Sequence, residues 1–167
     1  MDLDALADDD RARLLVLQAE AAEGMGYLKL QSTHPQTVGY ALADSPAFQL
    51  AWIAEPFHDW TEPVPERPHG VDTDRLLTNV SVYWFTRTGP SAAHALDENA
   101  HSHEWIPSGD APLGWAVFGA DPLVRQLMDP EHRIEHWSEY ERGGHFPALE
   151  VPDLLVADLR DFLRGRR

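Results

Sequence analysis

The 167 residues carry a formal charge of −15, from 28 acidic against 13 basic side chains, and include no cysteine. Such a charge argues against nucleic acid and anionic membrane surfaces as partners, since both are held by clustered Lys and Arg. Without cysteine there is no disulfide, thiolate metal site or thiol nucleophile, and 43% hydrophobic content in a chain of about one domain's length is enough to bury a core.

The opening Met1-Asp2-Leu3-Asp4 is acidic, where a secretory signal is basic and then apolar. No apolar run approaches the ~20 residues of a membrane span. A soluble cytoplasmic protein is the expectation. Asp8-Asp9-Asp10 precedes a helical stripe of Leu14, Leu15, Leu17 and Ala21, so a helix is expected over Arg11–Glu23, ended by Gly24 and Gly26. Pro35 and Pro46 suit first helical turns, which predicts a short helix from Gln36 to Ala43 and a longer one from Ala47 to Trp60. The longer one carries Phe48, Leu50, Trp52, Ile53, Phe57 and Trp60, apolar enough to expect burial on two sides.

Residues 61–69 hold Pro63, Pro65 and Pro68 and read as a loop. Asp72-Thr73-Asp74 can cap a helix over Arg75–Phe85, which Gly89-Pro90 breaks, and a further helix is expected from Ser91 to Asn99. His101 to Gly109 is polar and irregular. His94, His101 and His103 admit two readings, a metal site or solvated histidines, and the loose spacing favours the second.

The character then changes. Leu113–Phe118 is a short apolar run bounded by turn residues, the pattern of a buried parallel strand. A short helix over Leu123–Met128, a strand over Ile134–Tyr140 and a closing helix over Val151–Leu163 complete an α/β alternation. Between the last strand and the closing helix lies Arg142-Gly143-Gly144-His145-Phe146-Pro147. A histidine on such a corner is either a solvated side chain on a turn or a general base held on a bend.

Five blocks in order resemble the microsomal-type epoxide hydrolases of the α/β-hydrolase fold. They are Gly26-Tyr27 with Gln31-Ser32-Thr33-His34-Pro35-Gln36-Thr37; Ala41-Leu42-Ala43-Asp44-Ser45-Pro46; Leu50-Ala51-Trp52-Ile53; Leu76-Leu77-Thr78-Asn79-Val80 with Tyr83-Trp84; and Arg142-Gly143-Gly144-His145-Phe146. The resemblance implies a partial α/β-hydrolase fold, with a helical lid over residues 1–109. Residues 110–167 would then hold the last two strands and closing helix of the core.

It also implies a chemistry. In that family an aspartate opens the epoxide to form an ester, a histidine activates the water that hydrolyses it, and a carboxylate orients the histidine. Two lid tyrosines donate to the epoxide oxygen, and no cofactor or metal takes part. Residue by residue, His145 matches the base, Asp121 the carboxylate and Tyr27 the first lid tyrosine; Asp129 and Glu131 are the other candidates for the carboxylate. The second tyrosine's position falls on Leu96, which donates nothing, with Tyr83 and His94 as the nearest substitutes.

The family's Gly-Gly-Asp-Trp-Gly nucleophile elbow is not found in these residues. Its one imitation, Gly119-Ala120-Asp121-Pro122-Leu123, offers Pro122 where a backbone N–H is needed. The resemblance therefore implies a chain inactive alone, taking a small-molecule epoxide only when completed by an N-terminal half, or standing as a homo-oligomer. The non-enzymatic alternative is a helical binding module that uses the tryptophan-rich helix.

Overall fold

Proline sets where several helices begin, because it lacks the N–H that a first helical turn leaves unbonded. In the computed structural model, Pro35, Pro46, Pro147 and Pro152 each stand first in a helix. The structure describes residues 7–62, 64–65, 67, 70–102, 109–120 and 123–164. These form α1 (Asp8–Gly24), α2 (Gly26–Gln31), α3 (Pro35–Asp44), α4 (Pro46–Asp59), α5 (Thr73–Thr86) and α6 (Gly89–His101). Then follow β1 (Leu113–Phe118), α7 (Arg125–Met128), β2 (Ile134–Tyr140), α8 (Pro147–Glu150) and α9 (Pro152–Leu163).

The expected helices and both strands are present, with two additions, α2 and α8. The α2 segment begins at Gly26, which with Gly24 was expected to end the first helix, and no element was expected over it. Neither takes the left-handed conformation that stops a helix, and the chain only kinks at Met25 (φ −90°, ψ 10°) before turning again. The Asp72 cap is as expected: its Oδ1 accepts the N–H of Asp74 (3.0 Å) and of Arg75 (3.2 Å).

The chain divides into two compact units. One comprises Glu23–Asp59 and Pro63–Ser108, and its described residues form helices and loops with one isolated bridge between Val64 and Arg67. Its core is Val38 and Leu42 of α3 against Ala93 of α6, with Phe48 and Trp52 of α4 packed on it as a stacked pair 5.5 Å apart. Gly39 lets α3 approach Pro90 closely; a Cβ there would sit 3.4 Å from the proline ring. Burial of α4 on two sides is not met, because only Gln49 and Phe57 are buried while Leu50 stays 37% exposed.

The other unit comprises Met1–Ala22, Trp60–Glu62 and Gly109–Arg167. Here β1 and β2 pair in parallel, with Gly114 opposite His136, Trp115 opposite Trp137 and Phe118 opposite Tyr140. Alternation along the strands sends side chains to opposite faces. On one face His136, Ser138 and Tyr140 meet Asp158 of α9, and Phe162 of α9 lies over Gly114, where a Cβ would be 2.9 Å from its ring. On the other, Trp115 and Trp137 pack 5.9 Å apart under the Arg125 guanidinium, and Glu139 takes Arg13 of α1 at 2.7 Å. That hydrogen bond holds the Glu139 carboxyl below its ordinary range and raises the Arg13 guanidinium.

Gly89 tests the packing of the helical unit. A Cβ there would collide with Oε1 of Gln49, a buried side chain, and lie 3.0 Å from Cβ of Leu42. Gly89→Ala should therefore lower stability to urea unfolding by about 1–3 kcal/mol, the usual range for overpacking a tight interior.

Candidate active site

The bend after β2 is built from backbone obligations. Gly143 has φ +87°, and a Cβ on it would lie 2.5 Å from Cγ2 of Val151. A side chain is thus excluded by conformation and by space together. Its carbonyl accepts the N–H of Ala120 (2.9 Å), which ties the turn after β1 to the bend after β2. At Gly119 an added Cβ would strike the carbonyl of Glu141, so the carboxyl ends of the two parallel strands meet backbone to backbone. Open α/β sheets place ligands beyond the carboxyl ends of their strands.

Three N–H groups of the bend are then claimed from elsewhere in the unit. Gly143 N–H donates to Oε2 of Glu62 (2.9 Å). His145 N–H donates to the Trp60 carbonyl (2.9 Å), and Phe146 N–H donates to Oε1 of Glu150 (2.9 Å). Glu150 also accepts the Glu62 N–H at its other oxygen, at 2.8 Å. The imidazole of His145 is exposed but braced: Trp60 meets it at 5.1 Å and 62°, and Phe146 at 5.1 Å and 81°.

The imidazole lies on the wall of a cavity of about 350 Å³, shared with Phe118, Gly144, Leu155, Asp158 and Phe162. Asp158 is 7% exposed; one oxygen accepts from His136 Nε2 (2.9 Å), Tyr140 OH (3.0 Å) and Ser138 Oγ. Burial alone pushes its carboxyl up, but the three donors outweigh burial and hold it below 3.8. Burial and the contact with Asp158 raise the Tyr140 phenol. Because Ser138 and His136 both donate to one oxygen of Asp158, the cluster joins strand to helix and lacks the serine-to-histidine hydrogen bond of a nucleophile triad.

The structure treats the expected site residues unequally. His145 stands at the carboxyl end of the sheet, and Asp121 and His103 lie outside the described residues. Ala120, next to Asp121 in sequence, is the residue hydrogen-bonded to Gly143. The other two carboxylates are at the wrong end of β2. Asp129 is 4% exposed and accepts the N–H groups of Arg133 (2.6 Å) and Ile134 (3.2 Å), ahead of a strand about 20 Å long. Glu131 is exposed in the same turn.

In the helical unit Tyr27 is half-buried on α2. Leu96 and His94 both ride on α6, two residues apart and so on different faces, and His94 meets Gln36 at 3.2 Å. Tyr83 is half-buried on α5. No group of three or more metal-ligating side chains occurs among the described residues. None of their helices is long and apolar enough to cross a membrane. Glu62, Glu150 and Asp158 went unread in the sequence, since each has partners distant in the chain, although Glu150 also accepts the nearby Phe146 N–H.

Asp158 generates a pH prediction. Its folded carboxyl titrates below the unfolded one, so its contribution is complete above pH 3.8 and is lost as pH falls through the folded value. Asp158→Asn should be less stable at pH 7 by about 1–3 kcal/mol, the cost of disrupting a buried charged hydrogen-bond set. Thermal melts below about pH 4 should show a shallower acid loss in the variant than in the parent; parallel curves would exclude Asp158 as the source.

No protein-family model matches the chain. A putative epoxide hydrolase of Stigmatella aurantiaca is 39% identical over 165 residues, 97% of this chain but 38% of that protein. Epoxide hydrolase 1 of Sus scrofa is 37% identical over 153 residues, 83% of this chain and 34% of that one. The structure of Aspergillus niger epoxide hydrolase superposes with a TM-score of 0.80 at 27% identity, over 99% of this chain and 42% of that chain. Juvenile hormone epoxide hydrolase from Bombyx mori gives 0.69 at 26% identity, over 84% and 39%. The chain thus spans about two-fifths of the length of these relatives, and the likeness favours a hydrolase origin over a freestanding binding module. By sequence and by fold it belongs with the epoxide hydrolases, matching a C-terminal part of their α/β-hydrolase architecture.

Proposed function

We propose that the chain supplies the lid and the general-base part of an epoxide hydrolase active site, with residues 1–109 as lid and 110–167 as the end of the core. The nucleophilic aspartate comes from a polypeptide segment outside these 167 residues. That aspartate attacks an epoxide carbon; the C–O bond breaks as the ester bond forms, and the oxygen leaves as an alkoxide that Tyr27 stabilises by donating a hydrogen bond. His145 then removes a proton from water and the hydroxide adds to the ester carbonyl; the tetrahedral intermediate collapses, its hydroxyl proton passing to the departing glycol oxygen to regenerate the aspartate carboxylate, and the proton held by His145 goes to the alkoxide to complete the diol. Asp121 orients the imidazole and stabilises its charged form. Epoxide and water are consumed, a diol is made, and no cofactor enters.

The observation that carries this reading is the fixed bend at His145. An incidental turn histidine would not need a bend joined by hydrogen bonds to the β1 turn, to Trp60 and to two glutamates. Leu96 leaves the alkoxide with one lid donor in place of two, and slower ring opening follows from that.

Complementation tests the proposal. The chain is mixed with a separately made polypeptide carrying the upstream part of the Stigmatella relative, and diol is measured from an aryl epoxide. Diol should appear only in the mixture. His145→Gln should cut turnover by about 10²–10⁴-fold, the usual weight of a general base, with the ester accumulating. A mixture that turns over equally well with His145→Gln would sink the assignment.

A further inference from the structure

We infer that Glu62 and Glu150 are positioning residues for the His145 base, an inference that rests on reading His145 as that base. The two carboxylates and the Trp60 carbonyl form a closed clamp. Glu62 accepts the Gly143 N–H two residues before the histidine, and Glu150 accepts the Phe146 N–H one residue after it. The two halves are joined where Glu150 accepts the backbone N–H of Glu62. His145 itself donates to Trp60, two residues before Glu62. Residues on both sides of the base are thus anchored to one three-residue segment, and the base's own N–H is anchored to it as well.

The same residues set the ring. Trp60 and Phe146, whose backbone groups are members of the clamp, are the two aromatics that brace the imidazole edge-on, and they stack on each other at 6.4 Å and 21°. Gly144 makes the approach possible: a Cβ there would lie 2.5 Å from the Trp60 carbonyl oxygen and 3.1 Å from Oε2 of Glu150. Glu150 is 6% exposed. A carboxylate that deep is costly unless donors surround it, and an apolar residue would fill the space more cheaply. Its retention is explained by what its oxygens hold. Carboxylate acceptors also make stronger bonds to backbone N–H than neutral carbonyls do, and a displacement of about 1 Å at a catalytic group can cost on the order of 10²-fold in rate.

The test uses the chain alone, by NMR. In Glu62→Ala the Gly143 amide should move upfield and exchange with solvent about tenfold faster, the loss of one charge-assisted hydrogen bond. The nuclear Overhauser contact between the His145 and Trp60 rings should weaken, while that between Trp115 and Trp137 stays. Glu62→Gln, which keeps an acceptor oxygen, should restore both. Glu150→Gln should displace either the Phe146 or the Glu62 amide, since the amide nitrogen cannot accept.

Unchanged His145–Trp60 contact in Glu62→Ala would overturn the inference, as would a Gly143 amide that does not move. Should Glu62→Ala fail to fold, Glu150→Gln decides: the Phe146 or Glu62 amide should move and the His145–Trp60 ring contact weaken with it, and a displaced amide beside an unchanged ring contact would overturn the inference. No substrate is involved, so failure here is distinct from failure of the diol assay.

Discussion

The sharp bend at Gly143-Gly144-His145 depends on satisfying backbone N–H groups at a place where no helix or strand can do so. A turn that tight leaves its amides pointing outward, and a buried amide without an acceptor is penalised by a good part of a hydrogen bond's worth. Glu62, Glu150 and the Trp60 carbonyl supply the acceptors. This is why Trp60–Glu62 is grouped with the strands and not with the helices that flank it in sequence.

Strand β2 is fenced by buried carboxylates at every stage of its course. Asp129 accepts the first N–H groups before it enters, Asp158 accepts three side-chain donors along one face, and Glu150 closes the bend after it leaves. For a chain with 28 acidic residues this is an economical use of composition. Each carboxylate is tolerated because N–H or O–H donors replace its hydration, and each in turn fixes a strand position that hydrophobic packing alone would leave free to slide. The period-two spacing of His136, Ser138 and Tyr140 puts all three donors on the Asp158 side of the sheet.

The chemistry is divided in the same way as the structure. His145 and the clamp belong to the unit containing the strands, whereas Tyr27 and Leu96 belong to the helical unit. The nucleophile motif of the family is in neither, which accords with a chain that spans about two-fifths of its relatives' length.

Hydrophobic period and proline placement located nine helices and strands to within a few residues, because those signals act over one or two turns of chain. The histidine corner, too, was legible: two glycines, a histidine and a proline between a strand and a helix permit few backbone paths. The five family blocks then pointed to the epoxide hydrolases, which the relatives bear out. Two short helices, α2 and α8, were not legible, since Gly26 on α2 carries no intrinsic sign of whether it will stop a helix or continue one. Nor was the clamp. Glu62 lies in a proline-rich loop 81 positions before the amide it accepts, and Asp129, nearer His145 in sequence than Glu62 is, belongs to the far end of a strand. Local residue chemistry determined the elements and the histidine corner; only the tertiary structure decided which carboxylates reach that corner, because hydrogen bonds to a bend are satisfied by whatever the fold brings near, at any distance along the chain.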